Sequence, residues 1–281
     1  MAYFTKLVLY NLMTGSDLLS LANAHDADKH DRYKAPALDK GLDILELLAE
    51  KADGLTRSEI SAALGRGPSE IYRMVERLVS RGYVHRASGG DRYHLSSRIY
   101  QLAVQHPTLR GMLDIVDPEM SNFVRIASQS AFLGVFHEGR VLVVATYDPP
   151  ERLTITPRVG AELGVIDTAP GLVLLAFQDV PDRIAMMRSA QQSAFGEISL
   201  AEIQHGQLDA ICRMGYARTP SPSFGGLEHL SFPLLDRDGS ATAVITCPFL
   251  RSEMSSDQPN TDAVCAHLLA ISRDISTRIT R

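Results

Sequence analysis

The chain has 281 residues, of which 45% are apolar, with 28 Lys+Arg, 33 Asp+Glu and a formal net charge of −5. This length suits about two domains, and the composition is ordinary for a globular protein with ample core. No run approaches the ~20 consecutive apolar residues of a membrane helix, so no membrane partner is expected. The three cysteines are widely spaced, which suits a reducing cytoplasm and offers no zinc or disulfide spacing.

Residues 1–35 form a leader that does not match the pattern of the rest. Its polar end, HDADKHDRYK, is typical of a linker. The residues leave three interpretations open, namely a disordered segment, an extension foreign to the protein, or a helix that docks on the next domain.

Residues 36–96 are predicted to form a winged helix-turn-helix. Leu38, Leu42, Leu45 and Leu48 lie at helical spacing and predict an amphipathic first helix. Thr56 stands three positions before a glutamate, the spacing of a capping box that begins a second helix. The pattern therefore predicts two helices before the turn at residues 65–67.

A third helix and a hairpin complete the predicted motif. Pro68 suits the first turn of a helix, and an apolar stripe from Ile71 to Val79 must face a core. Strands are predicted at 83–86 and 92–95 around Gly89-Gly90. This order of elements places the third helix in the major groove of double-stranded DNA.

The exposed face of that helix supplies the candidate base contacts. We expect Ser69, Glu70, Tyr72 and Arg73 to face the groove, with Arg73 bidentate to guanine and Glu70 accepting from a cytosine amino group. The alternative is a solvated face on which Glu70 only favours the helix N-terminus. Positioning contacts to phosphate are expected from five residues. These are Thr56, Arg57, Arg66, Arg77 and Arg92.

The remainder predicts an α+β domain. A linker helix over residues 97–107 ends at Pro107, and a helix after it is interrupted at Asp117-Pro118. Residues 108–281 then show strands at SAFLGVFHEGRVLVVATYD, RLTITPRV, LEHLSFPLLD and SATAVITCPF. Helices are expected after Thr168, over 181–191, 199–214 and 261–279. An antiparallel sheet covered by helices is typical of a small-molecule sensing domain.

The ordered set of motifs resembles the IclR family of bacterial transcription regulators over about residues 36–277. It is carried by ALDKGLDILELLAE, GLTRSEISAALGRGPSEIYRMVERLVSRGYVHR, DRYHLSSRIYQLA, RVGAELGVIDTAPGLVLLAF, GYAR and the strands ending in CPF. The resemblance implies a winged DNA-binding domain, a linker helix and a GAF-like effector domain. It also implies homodimers or homotetramers on a palindromic operator and a small organic acid as effector.

The chain departs from the family pattern at several positions. Pro68 and Glu70 stand where the family often has lysine and threonine, and Pro170 replaces a small residue that carries an N–H. SPSFGGLEHL follows GYAR where an acidic pair is frequent. The resemblance therefore does not name the effector.

Candidate effector residues lie where predicted strands and a helix start converge. Gly160 would allow close approach, and Ala169 and Gly171 open a helix whose N-terminus could receive a carboxylate. Polar walls are expected from His229, Ser231 and Cys247. The plainer interpretations are a turn at Gly160 and an ordinary buried small side chain at Cys247.

The residues favour a sequence-specific transcriptional regulator whose operator binding responds to a small organic acid. The charge agrees, because residues 36–98 carry ten Lys+Arg against nine Asp+Glu, whereas residues 99–281 carry fourteen against twenty. Nucleophile-elbow, phosphate-loop and helical His-pair signatures are missing, so no catalytic residue, metal or cofactor is expected. The alternatives are a ligand-binding or protein-interaction module that does not bind DNA, or an enzyme of unrecognised type. Repression and activation remain equally open.

Overall fold

The computed structural model describes residues 35–87, 89–150, 154–192, 206–221, 224–250 and 260–280. The chain divides into two units, Met1–Pro107 and Thr108–Arg281. The proposed leader, apart from Ala35, lies outside the described residues. Within those ranges, no helix combines the length and the apolarity needed to cross a membrane.

The first unit is a winged helix-turn-helix. Its three-stranded antiparallel sheet has the order β1-β3-β2, and a three-helix core packs on it. In chain order the elements are α1 (Pro36–Ala49), β1 (Leu55–Thr56), α2 (Arg57–Leu64), α3 (Pro68–Ser80), β2 (Val84–Arg86), β3 (Arg92–Leu95) and α4 (Arg98–Val104).

Local signals set the helix ends in this unit. The capping box at the start of α2 is confirmed, because the Glu59 N–H donates to Thr56 Oγ1 and the Thr56 N–H donates to Glu59 Oε2. Gly65 ends α2 with a φ of 60°, a left-handed conformation that glycine adopts at no steric cost. Pro68 occupies the first turn of α3, as predicted.

The buried face of α1 differs from the prediction. Leu38 and Leu42 are 62% and 47% exposed, whereas Ile44 and Leu48 are buried in the core. Ile44 and Leu48 lie four residues apart, so they share the face that packs against α3. Several apolar residues can satisfy helical spacing, and only the position of α3 selects the set that becomes buried.

The second unit is built on a six-stranded antiparallel sheet of order β6-β5-β4-β9-β8-β7. Its elements are α5 (Pro107–Ala127), β4 (Ala131–His137), β5 (Arg140–Tyr147), β6 (Glu162–Gly164), α6 (Ala169–Ala176), α7 (Val180–Gln192), α8 (Gln207–Met214), β7 (Ala217–Pro220), β8 (Leu227–Leu235), β9 (Ala241–Leu250) and α9 (Thr261–Ile279). The predicted α+β class is thereby confirmed.

The two faces of this sheet carry separate cores. Phe232 and Ile245 point to one face and pack with α5 and α9. Val141 and Val244 point to the other face and pack with α6, α7 and α8. This division follows from the two-residue period of strands.

Two predictions in the second unit are wrong. Helix α5 runs through Pro118 without interruption, because its buried face continues on both sides and offsets the hydrogen bond that proline removes. RLTITPRV forms no strand over its described residues 154–159. The edge pairing lies further on, at β6, since Pro157 lacks an N–H and the Gly160 N–H instead donates to the Val143 carbonyl oxygen at 2.8 Å.

Most other predicted elements agree with the structure, but the linker helix ends at Val104, and Pro107 begins α5 instead of ending α4. The hairpins at Glu138-Gly139 and Asp238-Gly239 and the last helix are confirmed. The helix predicted over 199–214 is observed from Gln207, and residues 199–205 lie outside the described residues. Strands β1, β6 and β7 were not predicted, since each has only two to four residues.

Candidate nucleic-acid interface and ligand pocket

One face of α3 is left free by the core and carries three of the nine predicted DNA contacts. Ile71 and Val75 are fully buried, so the opposite face is exposed. Ser69, Arg73 and Arg77 lie on it. Among the described residues, neither Arg73 nor Arg77 has an acidic partner. The helix therefore presents two uncompensated guanidinium groups about one turn apart.

Tyr72 and Arg57 join α2 to α3 at this surface. The Arg57 guanidinium lies 5.0 Å from the centroid of the Tyr72 ring, a cation–π geometry. The ring remains 47% exposed. It thus offers an apolar edge beside the two arginines, of the kind that contacts a thymine methyl group.

Three predicted DNA contacts are held in ion pairs within the unit. Glu70 pairs with Lys40 of α1, and Arg66 lies 4.0 Å from Asp43. The hydrogen bond from Lys40 lowers the pKa of Glu70 below its usual 4.5. Lys40 was missed by sequence reasoning, because nothing local links positions thirty residues apart.

The third pair is between Arg92 and Glu59, at 3.2 Å. The Thr56 backbone N–H contributes most to a lowered pKa of Glu59, followed by the Thr56 side chain, with smaller contributions from Arg92. The Thr56 hydroxyl is engaged in the cap and is less available to phosphate than predicted. The β2–β3 hairpin is the wing of this unit, and on it Arg86 donates from Nε to the Gly90 carbonyl oxygen at 2.8 Å.

The second unit contains a cavity of about 720 Å³ between the sheet and the start of α6. Thr219, His229 and Pro248 are aligned in register across β7, β8 and β9 and form one side of it. Phe132 of β4 and Leu172 of α6 add apolar wall. The described lining contains one carboxylate, Asp167, and neither lysine nor arginine.

The structure brings two of the six predicted effector residues into this cavity. Ala169 and His229 line it. Burial lowers the pKa of His229 below its ordinary 6.5, so the ring is neutral at pH 7 and can donate one hydrogen bond.

The other four lie outside the lining. Gly160 is an exposed turn residue with a φ of 84°, as the plainer interpretation held. Ser231 is fully buried and shares a 2.9 Å hydrogen bond with Thr246. Cys247 packs on the opposite face of the sheet with α5 and α9, where burial raises the pKa of its thiol.

Gly171 shapes the start of α6 without lining the cavity. A β-carbon there would collide with the backbone of Val165, so glycine permits the close approach of helix and chain. Its N–H donates to Thr168 Oγ1 at 3.3 Å, and the Leu172 N–H donates to the Thr168 carbonyl oxygen. Because Pro170 has no N–H, the first turn offers one donor, that of Ala169, which the described residues leave unengaged.

These observations define a class: a winged helix-turn-helix protein whose second unit holds a cavity of small-molecule size. Two domain models match the chain. The IclR helix-turn-helix domain covers residues 37–88, and the bacterial transcriptional regulator IclR C-terminal domain covers residues 108–277. The chain therefore belongs to the IclR family of bacterial transcriptional regulators.

Curated relatives agree with this assignment. The chain is 24% identical to the HTH-type transcriptional regulator KdgR of Escherichia coli over 266 residues, which is 92% of this chain and 97% of that protein. It is 25% identical to the glycerol operon regulatory protein of Streptomyces coelicolor over 203 residues, 72% of this chain and 79% of that protein. The protein is accordingly a DNA-binding transcriptional regulator of the helix-turn-helix type, and effector control is typical of its family.

Solved structures show the same fold. Pseudomonas aeruginosa HmgR has a TM-score of 0.67 and 23% identity, with 87% of this chain and 99% of that chain covered. An IclR homolog from Microbacterium hydrocarbonoxydans, complexed with 4-hydroxybenzoate, has a TM-score of 0.68 and 19% identity, with 86% and 98% covered.

Proposed function

We propose that this regulator acts in the cytoplasm and that its operator binding is controlled by a small acid with one carboxylate and an apolar body. The observation that carries the proposal is the cavity beside α6, whose walls are largely apolar and whose polar groups are mostly neutral. Ligand sites of this kind use apolar walls for affinity and a few polar groups for orientation.

The donor set supports a single carboxylate. The Ala169 N–H lies at the positive end of α6, and His229 adds a neutral donor at the cavity wall. A second carboxylate would meet no lysine or arginine among the described lining residues and would be repelled by Asp167. The 4-hydroxybenzoate bound to the Microbacterium hydrocarbonoxydans homolog is a ligand of this chemical class.

Thermal melting and calorimetry with three probes test the ligand class. We expect 4-hydroxybenzoate to bind, and 4-hydroxybenzamide and phthalate to bind at least about tenfold more weakly. A ligand present at about 100 times its Kd stabilises the folded state by about 2.7 kcal/mol. His229→Ala should weaken binding, whereas His137→Ala, an exposed histidine at the end of β4, should not. Equal binding of acid and amide would overturn the single-carboxylate proposal.

Self-association is proposed from α4. This helix buries none of its residues and exposes Ile99, Tyr100, Leu102 and Val104. One near-neutral winged unit binds DNA weakly, and two linked units on two half-sites gain effective concentration. We therefore propose a homodimer, or a tetramer built from it, on a palindromic operator, with α4 covered by a second copy.

Analytical ultracentrifugation of the full chain tests this assembly. Leu102→Asp should lower the sedimenting mass and weaken operator binding, since a charge would be buried in the contact. Val180→Asp, another exposed apolar position, is the matched control. A wild-type chain that sediments as a monomer at micromolar concentration would sink the proposal.

A further inference from the structure

The turn end of the wing is bonded to the start of α2 through one arginine. Arg92 opens β3, and its Cα is paired with that of Thr56 on β1. Nη1 donates to the Gly54 carbonyl oxygen at 2.8 Å and to Glu59 Oε2 at 3.3 Å, while Nη2 donates to Glu59 Oε1 at 3.2 Å. One guanidinium thus bridges the turn before β1 and the first turn of α2.

The acceptors of Arg92 are themselves held in place. Glu59 Oε2 also accepts the Thr56 N–H at 2.8 Å as part of the capping box. Gly54 is buried with a φ of 63°, and a β-carbon there would collide with the Tyr93 carbonyl oxygen and the His94 ring. Helix cap, turn and wing therefore meet at a single guanidinium.

The charges at this junction cancel. Arg92 and Glu59 are each 44% exposed, and the bonds to Glu59 and Gly54 together use three of the five guanidinium N–H groups. A cation already neutralised by a carboxylate contributes little to counterion release on DNA. Arg86 of the same wing lacks a carboxylate partner among the described residues, so its charge is available to phosphate.

We propose that Arg92 is a positioning residue and not a phosphate contact. With Glu59 it sets the angle between the wing and the α2–α3 pair, so that the wing and α3 contact one operator together. A displaced wing should lower the affinity for the operator more than the affinity for random DNA, because only operator binding requires both elements in one register.

Two conservative variants of the full chain isolate the contact. Arg92→Lys keeps the positive charge but cannot bridge both oxygens of Glu59, whereas a phosphate accepts lysine as a point charge. Glu59→Gln keeps an acceptor for the Thr56 N–H, since glutamine also serves in a capping box, and removes the ion pair. Arg86→Ala is the control on the same wing.

The probes are a labelled duplex selected from a random library and a shuffled duplex of equal length, titrated by anisotropy over a range of KCl concentrations. Arg92→Lys and Glu59→Gln should each weaken binding to the selected duplex about tenfold, and the double variant should be no weaker. Arg92→Lys should leave binding to the shuffled duplex and its salt slope unchanged, whereas Glu59→Gln, which removes the carboxylate beside Arg92, should bind the shuffled duplex at least as tightly as the wild type. Arg86→Ala should weaken both duplexes alike and reduce the slope by about 0.9.

The proposal would be overturned by wild-type operator affinity in Arg92→Lys or by tighter operator binding in Glu59→Gln. Additive losses of operator affinity in the double variant would overturn it as well. Each variant is first shown to melt cooperatively. If only one of the two variants folds, it still tests the proposal, because each variant alone is expected to lose operator affinity and to retain binding to the shuffled duplex.

Discussion

Arg73→Ala tests whether the exposed face of α3 reads bases. Arg73 is exposed and has no hydrogen-bond, ion-pair or ring partner among the described residues. Its truncation should therefore change the free energy of unfolding by no more than about 0.5 kcal/mol. A bidentate arginine–guanine contact discriminates by about 1–3 kcal/mol, or about 5–150-fold in affinity per half-site. Two half-sites in a dimer would double the free-energy loss.

The assay compares the selected duplex with single-position base changes. For Arg73→Ala we expect weaker binding to the selected duplex and a relaxed preference at one position per half-site. Arg77→Ala, one turn later on the same face, should weaken all duplexes similarly and lower the salt slope by about 0.9. If both variants lose affinity equally on selected and shuffled DNA, Arg73 does not read a base.

Three further predictions concern the second unit. Gly171→Ala should destabilise it by about 1–3 kcal/mol in thermal melts through overpacking against Val165, whereas Gly111→Ala, in open space on α5, should stabilise by about 0.5–1 kcal/mol. Ser231→Ala should cost about 1–3 kcal/mol in urea unfolding by leaving the Thr246 hydroxyl unsatisfied, and a double variant with Thr246→Val should recover much of that loss. The lowered pKa of His229 means that the unfolded state binds a proton first as pH falls below 6.5, so stability should fall on acidification. His229→Gln should flatten the pH dependence of the free energy of unfolding, and an unchanged slope between pH 7 and 5 would contradict this prediction.

The fold was predicted well wherever short-range signals decide it. The capping box at Thr56, the left-handed turn at Gly65 and the hairpin at Glu138-Gly139 each depend on residues a few positions apart. Prediction was wrong where packing decides instead. Pro118 remains inside α5 because the helix buries its face on both sides of the proline.

The candidate sites were predicted less completely than the fold. Residue type placed Arg73 and Arg77 on an exposed helix face, since the apolar stripe of α3 identifies the buried side. Residue type did not show that Glu70 pairs with Lys40 or that Arg92 pairs with Glu59, because each partner is thirty or more residues away in the sequence. It also placed Cys247 among the walls of the cavity, although strand register turns that side chain to the opposite face of the sheet.

The sequence by itself determined the class of the protein. Helix starts, turns and apolar periodicity depend on residues that are close along the chain, so they can be recognised without knowledge of the fold. The tertiary structure decided which charges remain free for DNA and which strands and loops enclose the cavity. Coulombic pairing and burial depend on distance in space, and segments such as β4, α6 and β8 are brought together only when the sheet closes against its helices.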